Sequence, residues 1–216
     1  MRDYEESYFA LHSRDQGRRE RMRRQELERV RQTTGFDGGT VVDVGCGLGE
    51  LLDLLPTERW TKYGVDVSEL ARITCLNKGV SFDLPTGDGW CDLVLLRGAL
   101  QHLDRPLDTL FAAHRWLRPG GWLVVLATPN AGSPVYRMFQ DLPPLDAPRN
   151  FVVFSDRTLG QCLVNIGFRE LEFHYPYLET PYASPIRDHL RFMLRVIGIK
   201  RSFAFWRNMM ECYAQK

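Results

Sequence analysis

The chain has 216 residues, of which 44% are hydrophobic and 25% charged, and its formal net charge is +1. This composition is typical of one globular domain with a proper core, and the nearly balanced charge says little about partners. No apolar run approaches the roughly 20 residues needed to cross a bilayer, and the N-terminus is too polar and acidic for a signal peptide, so we expect a cytoplasmic protein with no membrane span.

The first predicted element is a helix over residues 14–32, because proline is absent there and Gly17 is the only helix breaker. Its arginines stand at positions 14, 18, 19, 21, 23, 24, 29 and 31. We interpret the segment as a solvated helix with i,i+4 ion pairs such as Glu20 with Arg24, and a phosphate-binding patch is the alternative. Residues 1–37 are therefore expected to form an N-terminal helical arm, which ends in a glycine-rich turn.

Residues 41–49 read Val-Val-Asp-Val-Gly-Cys-Gly-Leu-Gly, an apolar strand that runs into a glycine at every second position. Glycine accepts φ > 0 and has no Cβ, so such a turn can bring backbone N–H groups against a nucleotide. A dinucleotide fingerprint requires Gly-x-Gly-x-x-Gly, but the position three after Gly47 is Glu50, a carboxylate that would repel a pyrophosphate. The spacing therefore argues against NAD.

Helical and strand patterns alternate after this turn, which predicts βαβ units and a parallel sheet. Four leucines share one face of a predicted first helix, which Pro56 ends. They are Leu48, Leu51, Leu52 and Leu55.

Asp66 ends the second predicted strand, which reads Tyr-Gly-Val-Asp-Val over residues 63–67. It follows the first glycine by about twenty residues, the distance at which a carboxylate can accept both hydroxyls of a ribose. Asp66 is therefore our candidate ribose ligand. The next predicted elements are a helix over 69–77, a third strand over 79–83, a fourth strand over 91–96, a helix over 105–117 and a fifth strand over 123–127. His114 lies on the apolar face of its helix, where we expect a core or boundary histidine rather than a catalyst.

The C-terminal part predicts one more helix and two strands. The helix begins at Ser155, a good N-cap, and stops at Gly167. Residues 171–175 and 210–214 alternate between apolar and polar side chains, as half-buried strands do, and are expected to form an antiparallel pair.

Two insertions, residues 128–150 and 176–205, interrupt this part of the chain. The first contains five prolines, and in the second Ser184 and Pro185 are expected to be the N-cap and first residue of a helix. Ligand crevices of open α/β sheets lie at the carboxyl ends of the strands, so both insertions are expected to contribute to substrate recognition. For the helix after Ser184, completing the core is an equally good interpretation.

The five cysteines are an odd number and show no Cys-x-x-Cys spacing, so they predict neither a disulfide framework nor a zinc site. We interpret them as reduced thiols that serve as small apolar residues. No acidic cluster predicts a magnesium site, and the expected metal content is none.

The pattern Asp43-x-Gly45-x-Gly47-x-Gly49 resembles the first motif of the class I S-adenosylmethionine-dependent methyltransferases. Three more landmarks follow in the family's order: the strand at 91–96, Leu100-Gln101-His102, and the Leu-Arg-Pro-Gly-Gly-Trp of residues 117–122. The resemblance spans roughly residues 38 to 175. It implies a three-layer Rossmann-like α/β fold, with a seven-stranded, mostly parallel sheet and an antiparallel C-terminal strand, in a methyltransferase domain over 38–216.

The same resemblance implies that S-adenosylmethionine is the cofactor and S-adenosylhomocysteine its product. The glycine-rich turn is expected to pack against the cofactor, Asp43 to help hold its amino end, and Asp83 with Leu84 to match an adenine contact loosely. The arm would then pack beside the cofactor, with Tyr4, Tyr8 or Phe9 covering it. The full set of cofactor-binding candidates is Asp43, Gly45, Cys46, Gly47, Gly49, Asp66, Val67, Asp83, Leu84 and Arg97.

His102 is the candidate catalytic base, since it follows the fourth strand at the carboxyl edge of the sheet, and removing a proton from a hydroxyl requires a base near neutral pKa. The competing interpretation is a helix-entry residue that packs under the cofactor. In related small-molecule and sugar methyltransferases, a segment resembling residues 150–155 begins with histidine, whereas this chain has Asn150 there.

Missing motifs narrow the acceptor. Neither an Asn-Pro-Pro-Tyr type of motif nor a Pro-Cys pair follows the fourth strand, which disfavours methylation of exocyclic amino groups and of cytosine C5. The sequence therefore favours a small-molecule acceptor, a hydroxyl on a sugar or a secondary metabolite. The alternatives are an RNA methyltransferase of the tRNA type, which would use nucleic acid as its partner, and a non-catalytic binding module. The acceptor atom and the oligomeric state stay open.

Overall fold

The structure, a computed structural model, describes residues 16–140, 142, 150–180, 183–199, 201, 203 and 207–216. Tyr4, Tyr8 and Phe9 lie outside the described residues. In chain order the elements are α1 (Gln16–Thr34), β1 (Gly39–Val44), β2 (Trp60–Val65), α2 (Glu69–Leu76), β3 (Cys91–Arg97), α3 (Pro106–Trp116), β4 (Leu117–Pro129), α4 (Pro134–Phe139), α5 (Asp156–Ile166), β5 (Arg169–His174), α6 (Pro185–Val196) and β6 (Met209–Gln215). Two short 3-10 helices, Leu52–Leu54 and Leu100–His102, follow β1 and β3.

The strands form one sheet in the order β2-β1-β3-β4-β6-β5. The first four strands run parallel, and β6 is antiparallel to both β4 and β5. The predicted α/β class, the parallel sheet and the antiparallel C-terminal strand are therefore confirmed. The carboxyl ends of β1, β2, β3 and β4 meet at one edge of the sheet, where ligands of open α/β sheets bind.

The prediction of seven strands is wrong, because the structure has a six-stranded sheet. In place of the third predicted strand, Ser81 forms an isolated parallel bridge with Tyr63. The bridge consists of the Gly64 N–H to the Ser81 oxygen at 2.8 Å and the Ser81 N–H to the Lys62 oxygen at 3.0 Å. Directly after it, the Asp83 N–H bonds the Ser81 hydroxyl at 3.2 Å. This local bond turns the backbone away from β2 and ends the pairing after one residue.

The helix predicted over the four leucines that follow β1 is also absent, and only Leu52–Leu54 forms a turn of 3-10 helix. Gly49 lies at φ +77°, outside the helical region, so a helix could begin only after it, and six residues later Pro56 ends the segment. Leu51 and Leu52 are nevertheless buried. The leucine spacing therefore correctly indicated that this segment is buried, but it did not indicate an α-helix.

Helices cover both faces of the sheet, which confirms three layers. Alternate residues of β1 and β3 point to opposite faces, as strand geometry requires. On one face they pack with α3 and α5, and on the other with α1, α2 and the turn after Gly49. The first cluster includes Val42, Val44, Leu96, Leu110 and Leu159, and the second includes Val30, Val41, Leu52, Cys75 and Leu95. All five cysteines are free, and four of them are buried.

Local capping follows the sequence at α5 but not at α6. The Ser155 hydroxyl accepts the Thr158 N–H at 3.0 Å, and Gly167 closes α5 at φ +118°. Pro185 is the first residue of α6 as predicted, but the Ser184 side chain makes no cap hydrogen bond. Instead the Asp188 carboxylate accepts the Ser184 N–H at 2.9 Å. Ser184 is therefore the N-cap residue as predicted, but its side chain does not cap the helix.

Two glycines of α5, Gly160 within the helix and Gly167 at its C-terminal cap, provide a matched test of this helix. An added Cβ at Gly167 would have to adopt positive φ and would lie 3.1 Å from Nε2 of the half-buried His114. We expect Gly167→Ala to lower the free energy of unfolding by about 1–2 kcal/mol. Gly160→Ala should raise it by about 0.5–1 kcal/mol, since Gly160 has helical geometry and its Cβ would meet Phe173 at an ordinary 3.5 Å. Urea denaturation measures both, and changes of the same sign would contradict the assignment.

Candidate active site

The turn after β1 is shaped by its glycines. Gly45 lies at φ +76°, and a Cβ there would come within 2.6 Å of the Ala99 Cβ, at the end of β3. Gly49 is also at positive φ, and a Cβ there would lie 2.9 Å from Sγ of Cys75 in α2. Gly47 differs, because at φ +52° its Cβ would meet nothing within 4 Å. The turn is therefore packed at both ends and open in the middle, which is the shape of a cradle for a ligand.

Asp66 holds this turn against the end of β2. One of its carboxylate oxygens accepts the Gly47 N–H at 2.8 Å, and the other accepts the Ser68 N–H at 2.9 Å. A carboxylate offers about four acceptor positions, so each oxygen retains capacity for a ligand hydroxyl. The next side chain, Val67, is fully exposed. An acid and an exposed apolar side chain thus lie beside the open part of the turn, as the ribose assignment requires.

Asp43 is buried at the end of β1, on the same face as α1. Burial raises the pKa of its carboxyl to about 7, against the opposing effect of Arg97, and Asp66 raises it further. Among the described residues, Oδ1 of Asp43 has no hydrogen-bond partner. A buried carboxylate oxygen without a donor is costly, so the site suits a ligand that brings a cationic donor. The amino group of S-adenosylmethionine is such a donor, and the residues present fit that cofactor.

Arg97, the last residue of β3, points at α1. Its Nε lies 2.6 Å from Oε2 of the buried Glu26, and its Nη2 lies 3.2 Å from Oε1. This bidentate pair places a fixed positive charge near Asp43, and that charge opposes the effect of burial on the Asp43 pKa. Arg97 therefore lies at the site, with its guanidinium held by the N-terminal helix.

Sequence reasoning missed three more ion pairs between α1 and distant parts of the chain, one of which joins Nη1 of Arg29 to Oε2 of Glu179 at 3.2 Å. Arg23 pairs with Glu50, directly after the glycine turn, and Nε of Arg29 lies 3.0 Å from Oε2 of Glu211 in β6. Burial lowers the pKa of Arg29, but its bond to the buried Glu211 raises it overall. The signal was present in the sequence, because positions 23, 26 and 29 share one face of a helix. The partners of these three residues could not be predicted, since they lie far away in the sequence.

The predicted interpretation of α1 as a solvated helix is therefore correct only on its outer face. Glu20 pairs with Arg24 at 2.7 Å, and Glu28 pairs with Arg31 at the same distance. The face that carries the long-range pairs is instead packed on the sheet.

Three remaining cofactor candidates differ in exposure. Cys46 is buried in the turn, where burial strongly raises the pKa of its thiol. Asp83 is exposed, and Leu84 is half-buried against the core. Burial makes Cys46 a packing residue, so only its backbone is available to a ligand.

His102 ends the 3-10 helix after β3 and is exposed at the carboxyl edge. Its Nε2 lies 3.3 Å from Nε2 of the buried Gln101. The Gln101 carbonyl also accepts the Phe151 N–H at 2.9 Å, which brings Asn150 beside this turn. Both polar atoms of the Asn150 side chain are buried and have no partner among the described residues. The structure thus brings His102 and Asn150 to one side of the site.

Comparison with known proteins agrees with the fold. A family model described as a methyltransferase domain matches residues 15–172. A ubiquinone biosynthesis O-methyltransferase from Pseudomonas paraeruginosa is 32% identical over 120 residues, which cover 50% of this chain and 51% of that protein. The chain therefore spans about half the length of the curated relatives it matches.

Solved structures share the fold. A SAM-dependent methyltransferase from Thermotoga maritima, described as a possible histamine N-methyltransferase, superposes with a TM-score of 0.66 at 18% identity and covers 99% of this chain and 98% of its own. Phosphoethanolamine N-methyltransferase 2 of Haemonchus contortus, solved with S-adenosylhomocysteine and phosphomonomethylethanolamine, has a TM-score of 0.62 at 17% identity, covering 89% of this chain and 53% of its own. At these identities the likeness establishes the fold alone.

The raised pKa of Asp43 predicts a pH-dependent affinity for S-adenosylmethionine. A ligand ammonium favours the ionised carboxylate, so binding below about pH 7 must first release the Asp43 proton. We expect the affinity to be nearly constant above about pH 8, to be about twofold weaker at pH 7, and to fall up to tenfold for each pH unit below that. Calorimetric titration measures this, and Asp43→Asn should bind more weakly and without the pH dependence. The same slope in both proteins would show that another group titrates.

Asp66→Ala should weaken binding of S-adenosylmethionine and S-adenosylhomocysteine by about 1–3 kcal/mol, because it removes the acceptor for the ligand and leaves the Gly47 N–H unpaired. The matched control is Asp88→Ala, which removes an exposed carboxylate that pairs with Arg115 at 2.9 Å. That change should leave the dissociation constant unaltered in the same titration. Equal affinities for the Asp66 variant and the native chain would move the ribose site elsewhere.

Proposed function

The chain belongs to the methyltransferase domain family, and on this basis we propose that it transfers a methyl group to a hydroxyl of a small molecule. S-adenosylmethionine is the methyl donor of this family, and structural relatives were crystallised with it or with S-adenosylhomocysteine. The observation that carries the proposal is the pairing of the open glycine turn with two acids, the buried Asp43 and the ribose candidate Asp66, at one edge of the sheet.

Oxygen is the acceptor atom that the relatives support. The curated proteins matched at 30–32% identity include several named ubiquinone biosynthesis O-methyltransferase, although this chain spans about half of each. A hydroxyl acceptor also agrees with the missing amino-group and cytosine motifs. We propose that the molecule carrying this hydroxyl is a sugar or a secondary metabolite.

The geometry supports a set of proposed cofactor contacts. When bound, S-adenosylmethionine supplies an electrophilic methyl group on a sulfonium centre. We assign Asp43 to its amino group, the Gly45 to Gly49 turn to its backbone-facing edge, and Asp66 with Val67 to its nucleoside. We assign the remaining candidates, Asp83, Leu84 and Arg97, to the border of the same site. Holding the reactants in line can supply about 7–11 kcal/mol of the barrier, so positioning is the main contribution of these residues.

His102 is proposed as the general base. Its imidazole is exposed on the acceptor side, where it can take the proton of the acceptor hydroxyl as the oxygen attacks the methyl carbon. Asn150 beside it cannot take a proton, and because both polar atoms of its side chain are buried, it can hydrogen-bond the acceptor only if that side chain turns outward. One histidine would then perform the proton transfer, with the asparagine as a positioning residue.

The two insertions are proposed to shape the acceptor pocket. Within them α4 and α6 share a small apolar cluster, in which Val135 and Phe203 are buried and Phe139 and Phe192 are partly buried. This cluster joins the insertions to each other and keeps α4 next to the end of β4. Pocket shape on that side therefore depends on both segments together.

Incubation with labelled S-adenosylmethionine and fractionated metabolite extract tests the proposal. We expect label in a small-molecule fraction, and mass spectrometry should place it on oxygen. Label in RNA would instead identify a nucleic-acid methyltransferase, and absence of cofactor binding would leave only a binding module.

His102→Ala tests the base in the same assay. We expect turnover to fall by about 10²- to 10⁴-fold, with little change in cofactor affinity. The matched control is His189→Ala, which removes an exposed histidine of α6 and should keep native turnover. Near-native turnover of His102→Ala would exclude it as the base.

A further inference from the structure

An open cavity of about 240 Å³ lies between the N-terminal half of α1 and the segment that follows β5. None of the residues assigned to the cofactor is among its described lining residues. Four of the lining residues share one face of α1, since they are spaced three, one and three positions apart, and the other two belong to the second insertion. They are Arg18, Arg21, Met22, Gln25, Glu179 and Thr180.

The α1 wall of this cavity lies on the carboxyl side of the sheet. Glu26 of α1 pairs with Arg97 at the carboxyl end of β3. The C-terminal half of α1 lies toward the opposite edge, because Arg31 lines another cavity together with Trp60, the first residue of β2. Arg18 is two turns N-terminal to Glu26, so it lies about 12 Å further along the helix axis in the direction of the carboxyl edge.

The second wall reaches the same side of the sheet. Both β4 and β5 are antiparallel to β6, so the carboxyl end of β5 at His174 lies at the same edge as that of β4. Glu179 and Thr180 follow that end by five and six residues. The Thr180 hydroxyl donates to the Tyr177 oxygen at 2.8 Å, which holds this turn in place. The cavity therefore lies on the side of the sheet where we place the methyl acceptor.

The cavity has an excess of positive charge. Within the described part of the chain, neither Arg18 nor Arg21 forms an ion pair, and both side chains are exposed. The carboxylate that lines the cavity, Glu179, is paired with Arg29, whose Nη1 lies 3.2 Å from its Oε2. Arg29 also pairs with the buried Glu211. Three arginines and two glutamates thus leave one positive charge in excess, and the cavity is complementary to an anion.

This face of α1 differs from the solvated outer face. There the charges neutralise each other along the helix, as Glu20 does with Arg24 four positions later. On the cavity face, the residues four positions after Arg18 and Arg21 are a methionine and a glutamine, which carry no charge. The glutamine amide adds two N–H donors to those of the two guanidinium groups. The donors of this face are therefore available to a ligand that supplies acceptor oxygens.

We propose that this cavity binds an oxyanion of the methyl acceptor, a carboxylate or a phosphate, through Arg18 and Arg21. The planar guanidinium group matches the geometry of both anions and can bond them in a bidentate manner. The inference rests on the proposed function and narrows its acceptor to a small hydroxyl compound that also carries an anionic group. The two arginines then determine specificity by holding the acceptor at a distance from its reacting hydroxyl.

A titration with simple anions tests the cavity without turnover. Protein bound to S-adenosylhomocysteine is titrated with sodium phosphate, and separately with sodium acetate, at an ionic strength kept constant with sodium chloride. The backbone N–H resonances of Gln25 and Thr180 should shift saturably, and the anion that binds more tightly identifies the group. Arg18→Gln combined with Arg21→Gln should weaken this binding at least about tenfold, because it removes the charged donors.

The matched control is Arg157→Gln combined with Arg169→Gln. It removes two exposed arginines of α5 and β5, outside the cavity, and should bind both anions like the native chain. All variants should keep the native circular dichroism and cofactor affinity. Absence of saturable binding for both anions, or an equal loss in the control, would overturn the inference.

The labelling assay separates the anionic acceptor from the proposed function. Labelled products should be retained by an anion-exchange column, and the Arg18 and Arg21 double variant should form them at least about tenfold more slowly at subsaturating extract. Label in neutral small molecules, formed by the variant at the native rate, would overturn the anionic acceptor and leave the proposed function standing. Label in RNA would overturn both. No label in any product would contradict the proposed function and with it the acceptor, whereas the titration decides the anion site itself.

Discussion

The contact between Gly45 and Ala99 is the constraint on which the site depends. The ends of β1, β2 and β3 meet at this point, because the N–H groups of Gly45 and Cys46 both reach the Val65 oxygen, at 2.7 and 3.3 Å, while Ala99 closes the other side. Any side chain at position 45 would force these strand ends apart. The Gly47 N–H would then lose the Asp66 carboxylate, and the open centre of the turn would collapse.

Next to this contact, Asp43 is a buried carboxyl group that we assign to ligand binding. Burial raises the pKa of Asp43 to about 7, although Arg97 opposes the shift. A group with such a pKa sits between its neutral and its charged form near physiological pH, so a bound cation can decide which form prevails. The burial that makes the ionised Asp43 carboxylate unfavourable on its own is therefore also the reason why we assign this residue to a cationic ligand.

The elements that sequence could predict are those determined by nearby residues. The glycine turn, the strand ending at Asp66, and the limits of α5 depend on backbone preferences and caps within a few positions, and all appear in the structure. The helix expected after Gly49 failed because burial and helix produce the same leucine spacing in a short segment. The missing third strand was decided by one hydroxyl, at Ser81, which competes with strand pairing. Arg29 and Glu211 lie 182 positions apart, and no local pattern links them.

The ion pairs that α1 forms through buried acids also determine which substitutions this protein can accept. Glu26 and Glu211 are buried, so replacing the arginine that faces either one leaves an unneutralised charge, at a cost of about 3–5 kcal/mol. Exchange of both members for apolar residues avoids that cost. Sequences descended from this chain should therefore keep or lose both members of each pair together. Substitutions in the N-terminal helix are thus coupled to substitutions in the distant strands that it contacts.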